Sequence, residues 1–246
     1  MSDDLVSLRM IVVATAPSDQ DIWRHGAGMA AFPVEFTAQD VTAAKAALAR
    51  GAADICVIDG DVPDAQKSAL IEAARAAQPA PVIFVCAVPG SVRPDGINGM
   101  LAKPKTRDEA RLAAEICVRA KIPTRVLIVD DSSTMRSIVR KILSASRFSL
   151  VMHEAAEGIA ALEELRSGQF GMVFLDYNMP SLNGIETLLE IKRESPNVAV
   201  VMMTSTVDKA IADRACASGV LAFLKKPFYP ADIDSVLERY YGLDTP

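Results

Sequence analysis

The 246-residue sequence is poor in cysteine, in aromatic residues and in long hydrophobic runs, and each shortage excludes a class of protein. Four cysteines stand far apart with no C-x-x-C pair and only two histidines accompany them, so a soft-metal site is not expected. We expect Cys56, Cys86, Cys117 and Cys216 to be buried, reduced thiols. No stretch approaches the roughly 18 apolar residues of a membrane span, and the N-terminal residues are acidic. We therefore expect no membrane partner and a cytoplasmic location.

Concentrated positive charge is lacking as well. The formal net charge is −5, and lysine and arginine form no stripe along the sequence. This excludes the electrostatic footprint of a nucleic-acid binder, so no nucleic-acid partner is expected. What the sequence does contain is alanine, valine, leucine and isoleucine in amounts that suit helices packed on buried parallel strands. The length suits two small domains.

The second half alternates short apolar runs with helical patterns five times. The predicted strands are Val126–Val129, Leu150–Met152, Met172–Leu175, Val198–Met203 and Val220–Leu224. Helical patterns begin near Ser133, Gly158, Gly184, Val207 and Ala231. This β-α order predicts an α/β domain with a doubly wound parallel sheet covered on both faces.

The first half repeats the same order. Its predicted strands are Met10–Val13, Val34–Phe36, Asp54–Ile58, Val82–Cys86 and Met100–Ala102. Its helices begin near Ser18, Val41, Asp64 and Arg107, and the last should end near Arg119. An offset of 117 residues places Asp176 on Asp59. We predict tandem homologous domains at residues 1–120 and 126–246, joined by a linker at 121–125.

Acids, a hydroxyl and an amine follow the predicted strands of the second half. Ligands of open parallel sheets bind beyond the carboxyl ends of the strands. Those ends carry Asp130-Asp131, Asp176, Thr204 and Lys226. Carboxylates gathered there repel one another unless a cation neutralises them, and oxygen donors favour Mg²⁺ over zinc or copper. Taken singly, the acid pair could be a helix cap, the lysine part of a turn and Asp176 a loop acid.

Three motifs at these strand ends carry a family resemblance. Residues 126–136 (VLIVDDSSTMR), 174–184 (FLDYNMPSLNG) and 223–228 (FLKKPF) are similar to receiver domains of two-component response regulators. The resemblance spans the whole second half. It implies a flavodoxin-like, five-stranded parallel sheet of strand order 2-1-3-4-5, Mg²⁺ as cofactor, and a histidine kinase or histidine phosphotransfer protein as phosphoryl donor.

The resemblance also implies residue roles. Asp176 would be the phosphoryl acceptor. The magnesium ion would be bound by Asp176 and Asp131, and by Asp130 through water. The main-chain carbonyl of Asn178 would complete the protein ligands. Lys226 would pair with the phosphoryl oxygens.

Two further residues take roles from the same resemblance. Thr204 would donate its hydroxyl to a phosphoryl oxygen. Phe223 would be the aromatic switch residue that changes exposure when the threonine moves, with a strand aromatic of purely structural role as the alternative.

The first half lacks this chemistry. By spacing, Ala14 stands where Asp131 stands, Asp59 lacks cation-binding partners, and Cys86-Ala87 replaces the hydroxyl. We predict a degenerate receiver, or pseudo-receiver. A metal held by Asp59 and Asp61 stays open as an alternative.

The fourth helix of the first half is also expected to be missing or shortened. The interval before its fifth strand contains Pro89, Gly90, Pro94 and Gly96, which break helices. We expect the altered face to make a domain or dimer contact, so a homodimer is possible.

The leading hypothesis is a response regulator without a DNA-binding output domain, which signals to a downstream protein by direct contact. Its chemistry would be limited to Mg²⁺-dependent self-phosphorylation from a donor and autodephosphorylation. A phosphate sink or relay member, and a phosphorylation-independent scaffold, are the alternatives. A flavin or nucleotide binder is disfavoured because Asp130-Asp131 would repel phosphate unless a cation were bound.

Overall fold

The computed structural model describes residues 7–88, 90–180, 182–205 and 215–243 of the chain. The first ten elements, in chain order, are β1 Leu8–Val13, α1 Pro17–Gly28, β2 Val34–Gln39, α2 Val41–Ala49, β3 Ile55–Ile58, α3 Asp64–Ala76, β4 Val82–Ala87, β5 Gly99–Ala102, α4 Arg107–Lys121 and β6 Thr124–Val129. They are followed by α5 Ser133–Ser144, β7 Leu150–Ala155, α6 Gly158–Ser167, β8 Met172–Asp176, α7 Gly184–Glu194, β9 Ala199–Thr204, β10 Ala222–Lys225 and α8 Pro230–Tyr241.

The chain divides into two compact units. The first runs to Ile122 and also takes in the C-terminal residues from Tyr241, and the second is Pro123–Tyr240. These bounds differ by a few residues from the predicted division. Helix α4 continues to Lys121, beyond the predicted end near Arg119, and basic residues in its last turn suit the helix dipole.

Each unit is built on one parallel five-stranded sheet. The strand order is β2-β1-β3-β4-β5 in the first unit and β7-β6-β8-β9-β10 in the second. This confirms the predicted fold, two doubly wound α/β domains of strand order 2-1-3-4-5. Every residue of β3 and of β8 is buried, as expected for central strands whose two faces are both covered by helices.

Apolar side chains from the sheets and helices form a core in each unit. In the second unit Leu127 and Val173 pack in one cluster with Leu188 and Ile191 of α7. Full burial of a leucine or isoleucine side chain contributes about 1.5–3 kcal/mol, so these contacts fix the helices against the sheet. The loops at the strand ends are held in turn by the elements they connect.

The segment between β4 and β5 lacks a helix, as predicted. Its described residues, 88 and 90–98, contain none, and Gly90 and Gly96 adopt positive φ angles of 79° and 80°. Such angles interrupt helical backbone. The contact expected at this face stays a prediction.

Two other expectations have different outcomes. Cys56, Cys86 and Cys117 are buried thiols as expected, but the prediction for Cys216 was wrong, because its side chain is exposed. The helix predicted to begin near Val207 falls outside the described residues. No helix among the residues described is long and apolar enough to cross a bilayer.

Candidate functional site

Three carboxylates converge where the strands of the second sheet end. Asp130 and Asp131 follow β6, and Asp176 is the last residue of β8. These strands are adjacent and parallel, with Val129 opposite Leu175, so their carboxyl ends lie next to each other at the same edge of the sheet. One carboxylate oxygen from each aspartate lies within 4.8 Å of the others. Asp130 and Asp176 are buried and Asp131 is exposed, so the cluster opens to solvent on one side.

Lys226 closes the buried side of this cluster. Its Nζ donates to Oδ2 of Asp130 at 2.7 Å and to Oδ1 of Asp176 at 2.8 Å. Its main-chain N–H donates to the carbonyl of Thr204 at 2.8 Å, which fixes the turn after β10 against the end of β9. Burial lowers the pKa of Lys226, but the hydrogen bonds to both aspartates outweigh burial and raise it above its ordinary value. The ammonium is therefore charged at neutral pH.

The two aspartates respond differently to their surroundings. Burial raises the pKa of Asp176, and this outweighs the lowering effect of its hydrogen bond to Lys226. The nearby charge of Asp130 adds to the rise. One ammonium thus does not fully compensate the gathered negative charge, and further positive charge would favour the ionised form of Asp176.

The residues present fit a hard divalent cation. Asp130, Asp131 and Asp176 offer only oxygen atoms, which are the ligands that Mg²⁺ prefers. Asn178, exposed and two residues beyond β8, brings its main-chain N–H to the Asp176 carboxylate, and this contact lowers the pKa of that group. The main-chain N–H of Asn178 therefore lies at the cluster, and the role of its carbonyl as a metal ligand stays a prediction.

Thr204 and Phe223 lie on the two neighbouring strands. Met203 stands opposite Asp176 in the sheet, so Thr204 comes one residue beyond it at the end of β9. Thr204 is buried, with 3% exposure. Phe223 of β10 is half-buried and packs against the apolar cluster of the second unit. The structure thus brings Thr204 to the end of the sheet at which Asp176 lies, with Phe223 packed against the core on the neighbouring strand.

Helix α5 orients Asp130, and part of this was not predicted. The main-chain N–H of Ser132 donates to Oδ1 of Asp130 at 2.9 Å, and the Ser132 hydroxyl caps α5 by accepting from Met135. One turn into the helix, Arg136 donates from its guanidinium to the Asp130 carbonyl at 2.8 Å. Arg136 is the last residue of the first quoted motif, which assigns it no role, and the signal for its contact is its position four residues after the cap, on the face directed back toward the strand.

A glycine lets α7 begin close to the end of β8. A Cβ atom at Gly184 would lie 2.6 Å from the carbonyl oxygen of Asp176 and 2.7 Å from Cα of Tyr177. The helix start is secured by a capping box between Asn183 and Glu186. The loop that carries Asn178 is therefore fixed at both ends.

The corresponding place in the first unit holds a different cluster. Nζ of Lys103 lies 3.0 Å from Oδ1 of Asp59, 2.5 Å from Oδ2 of Asp61 and 2.8 Å from Oδ2 of Asp19. Asp19, in the first turn of α1, was missed by the sequence analysis, since it lies in a helix rather than at a strand end. Oδ2 of Asp59 is buried and has no hydrogen-bond partner.

Sheet register corrects the alignment of the two halves. Val13 stands opposite Ile58, and Val129 stands opposite Leu175, so Ala14 corresponds to Asp130 rather than to Asp131. The prediction was wrong by one residue, and Thr15 corresponds to Asp131. The connection from β2 to α2 is Asp40 alone, whereas that from β7 to α6 has two residues, Ala156 and Glu157, which shifts the count.

A second pair of contacts supports this corrected alignment. Gln20 donates its side-chain amide to the Ala14 carbonyl at 2.7 Å, as Arg136 does to Asp130. Neither Ala14 nor Thr15 can supply a carboxylate. The first unit therefore still lacks the acid pair.

The lysine of the first cluster is held in its charged form. Burial lowers the pKa of Lys103, but hydrogen bonds to Asp19, Asp61 and Asp59 outweigh burial and raise it well above its ordinary value. Cys86 precedes the position equivalent to Thr204, and burial raises the pKa of its thiol. This unit thus offers a fixed ammonium and an unreactive thiol.

Comparisons with known proteins agree with the geometry. The response regulator receiver domain family matches residues 126–238. Chemotaxis protein CheY-3 of Vibrio cholerae is 35% identical over 119 residues, which cover 48% of this chain and 91% of that protein. Chemotaxis protein CheY of Thermotoga maritima is 31% identical over 115 residues, covering 47% of this chain and 95% of that protein.

A solved structure resembles both units together. A probable two-component system response regulator/GGDEF domain protein matches 97% of this chain and 100% of its own, with a TM-score of 0.58 and 19% identity. A second structure, of a putative response regulator/GGDEF domain protein, covers 95% of this chain and 99% of its own with a TM-score of 0.57 and 20% identity. At these identities the likeness concerns the fold alone.

Proposed function

The chain belongs to the response regulator receiver family, with two receiver folds in tandem, and on that basis we propose that its second unit accepts a phosphoryl group on Asp176. One observation carries the proposal. Asp130, Asp131 and Asp176 approach within 4.8 Å of one another, and Lys226 lies 2.8 Å from the proposed acceptor. This arrangement concentrates an acceptor and charged groups at the place where phosphoryl transfer needs them.

The transfer is a single displacement at phosphorus. An oxygen of Asp176 forms the new bond to phosphorus, while the bond to a histidine nitrogen or an acyl oxygen of the donor breaks and its electron pair stays with the leaving group. The ammonium of Lys226 leaves Asp176 and pairs with the phosphoryl oxygens. The hydroxyl of Thr204 donates a hydrogen bond to a phosphoryl oxygen as well. Asp130, Asp131, Asp176 and the main-chain carbonyl of Asn178 would hold a magnesium ion, which would supply positive charge to offset the charge on the transferred group.

A histidine kinase or phosphotransfer protein is the proposed donor, and the output is a contact with a downstream protein. Phosphorylation would draw Thr204 toward the phosphoryl group, and Phe223 would move into the space that the threonine vacates. The positions of the two residues support this coupling, since Thr204 is buried at the end of β9 and Phe223 is half-buried on the neighbouring strand β10.

The first unit is proposed to be a pseudo-receiver. Ala14 and Thr15 lack the carboxylates of their counterparts, and Ala87 replaces the hydroxyl. Lys103 is already engaged by three carboxylates, so it is held away from any incoming phosphoryl group. Asp59 then has no counterpart of the acid pair beside it, and phosphoryl transfer to it gains little catalytic help.

The two units provide their own control for the main test. Purified wild type, Asp176→Asn and Asp59→Asn are incubated with acetyl phosphate, with and without Mg²⁺, and analysed by intact mass and by base lability of the bound phosphate. Wild type and Asp59→Asn should gain one base-labile phosphoryl group only with Mg²⁺, and Asp176→Asn should gain none. Incorporation into Asp176→Asn equal to wild type would overturn the assignment.

The switch is tested separately with a non-transferable mimic. Beryllofluoride and Mg²⁺ should shift the backbone amide resonances of β9 and β10 in wild type and in Thr204→Ser, which retains the hydroxyl. Thr204→Val keeps the shape of the side chain but lacks the hydroxyl, so it should lose the shifts on β10 around Phe223. Equal shifts in both variants would remove Thr204 from the pathway.

A further inference from the structure

An arginine lies at the other end of the second sheet, where the strands begin. Its counterpart in the first unit forms an ion pair with an aspartate, and this arginine does not. In the first unit Arg9 of β1 forms a two-pronged ion pair with Asp54, from Nε to Oδ2 at 3.1 Å and from NH2 to Oδ1 at 3.2 Å. Met10 stands opposite Ile55, and Val126 stands opposite Met172, so Arg125 corresponds to Arg9 and Gly171 corresponds to Asp54.

The main-chain contacts at the two places are the same. The N–H of Asp54 donates to the Arg9 carbonyl at 2.8 Å, and the N–H of Gly171 donates to the Arg125 carbonyl at 3.0 Å. The backbone is therefore conserved between the repeats while the carboxylate is not. The guanidinium of the second unit is left without the partner that its position has in the first.

Arg125 is held in place by uncharged groups. Its guanidinium carbon lies 4.8 Å from the centroid of the Phe170 ring, and NH2 lies 3.3 Å from Nε2 of His153. Since a guanidinium can only donate, Nε2 is the acceptor of this contact. Nε of Arg125 is buried without a hydrogen-bond partner, and no carboxylate among the described residues forms an ion pair with this side chain.

A glycine makes room for the guanidinium. A Cβ atom at Gly168 would lie 3.0 Å from NH2 and 3.1 Å from NH1 of Arg125, closer than ordinary contacts allow. The φ angle of Gly168 is −151°, which any residue can adopt, so its lack of a side chain matters here for space rather than for backbone conformation. The guanidinium of Arg125 is thus held between the backbone at Gly168 and the ring of Phe170.

The guanidinium borders a cavity of about 1220 Å³. Polar side chains of Ser167, Ser195 and Asn197 line the same cavity. Its other arginine, Arg166, is already neutralised by a two-pronged pair with Glu194 at 2.8 and 2.7 Å. Arg125 is therefore the cation of this cavity that has hydrogen-bonding capacity to spare.

We propose that this cavity binds a small molecule through a phosphate or carboxylate group that accepts hydrogen bonds from the guanidinium of Arg125. A guanidinium matches both groups in charge and geometry, and no carboxylate among the described residues forms an ion pair with this one. The cavity is somewhat larger than the roughly 300–1,000 Å³ of most small-ligand pockets, so it has room for a small molecule that carries such a group. The site is independent of the proposed phosphorylation, which takes place at the other end of the strands.

The test uses the full chain and two probe anions. Orthophosphate and citrate are titrated without Mg²⁺ at constant ionic strength, with chloride as the balancing and control anion, while the backbone amide resonances of Gly168 and Gly171 are followed. We expect saturable shifts with one or both probes and none with chloride. Phosphate alone, or citrate alone, would identify the group that the site prefers.

Arg9→Gln is the matched control for Arg125→Gln. Arg125→Gln should weaken probe binding at least tenfold, whereas Arg9→Gln should leave it unchanged, since Arg9 is already paired. Gly168→Ala serves if Arg125→Gln does not fold, because the added methyl group displaces the guanidinium and should weaken binding several-fold. Equal affinity in wild type and in the folded variants, or equal shifts with chloride, would overturn the proposal.

Discussion

The two units share one fold but compensate the negative charge at their strand ends in different ways. In the second unit Lys226 contacts two aspartates, and the exposed Asp131 stands beside them. In the first unit one ammonium, that of Lys103, contacts three carboxylates. The first cluster is therefore closed around an internal cation, while the second is open to an external one.

The difference shows how few substitutions separate these two states. Ala14 and Thr15 remove the acids that correspond to Asp130 and Asp131, while Asp19 of the neighbouring helix and Asp61, at the position of Asn178, add two. The number of acids is conserved while their position changes. Because Lys103 contacts all three carboxylates in the first unit, we infer that this cluster serves stability rather than chemistry. Substitutions in either unit can test this difference.

The largest expected effect separates the two lysines by their role in chemistry. Lys226→Gln should slow phosphoryl transfer from acetyl phosphate by about 100-fold or more, since it removes a cation from the developing charge on the phosphoryl group. Lys103→Gln should leave the rate unchanged. The measurement is the initial rate of base-labile phosphate incorporation at saturating Mg²⁺. A loss of rate in Lys103→Gln as large as that in Lys226→Gln would show that the two units are not functionally distinct.

The next effect concerns stability in the first unit. Lys103→Met should lower the free energy of unfolding of that unit by about 3 kcal/mol, because it leaves the buried Asp59 and its two neighbours without a counter-ion. Trp23 is the only tryptophan and is 1% exposed, so its fluorescence in a urea titration reports this unit alone. Lys105→Met, at an exposed position, is the control and should change the midpoint little. Equal midpoints in the two variants would contradict a structural role for Lys103.

A smaller effect of opposite sign is expected at the acceptor. Burial raises the folded-state pKa of Asp176, so its favourable contribution is complete below the ordinary carboxyl pKa and is lost as pH rises through the raised value. At neutral pH the ionised group opposes folding. Asp176→Asn should therefore stabilise the second unit by on the order of 1 kcal/mol at neutral pH and by less in acid.

Hydrogen exchange of the β8 amides measures this change in the second unit. The comparison of wild type and Asp176→Asn is made at neutral pH and again near the ordinary carboxyl pKa, without Mg²⁺. Slower exchange in the variant only at the higher pH is the expected result. Faster exchange at neutral pH would mean that the pair with Lys226 outweighs burial.

The smallest effect is expected at Asp54. Its hydrogen bond to Arg9 lowers the pKa of this carboxyl, so its contribution is present above the ordinary carboxyl pKa and is lost as pH falls through the lowered value. Asp54→Asn should destabilise the first unit by about 0.5–1 kcal/mol at neutral pH, since the pair is partly exposed. Trp23 fluorescence measures the change. A variant as stable as wild type at neutral pH would indicate that this pair contributes nothing to folding.

Much of the proposed site was predictable because its residues stand at the ends of strands. The alternation of apolar runs located β6, β8, β9 and β10, and in a parallel sheet their carboxyl ends must meet. Asp130, Asp176, Thr204 and Lys226 were found in this way. Asp19 and Arg136 were not, because a helix has many polar positions and only packing decides which of them face the strand ends.

The linear sequence determined the repeat, the fold class and the groups at the strand ends, because hydrophobic periodicity and residue chemistry are local properties. Only the tertiary structure decided the register that places Ala14 on Asp130 and the third carboxylate at Lys103. It also decided that Arg125, next to Gly171 in the sheet, has no carboxylate among the described residues as an ion-pair partner. These features depend on distances between residues that are far apart in the chain. A one-residue difference in a single connection shifts the alignment of the two halves along the sequence without changing the register of the sheet.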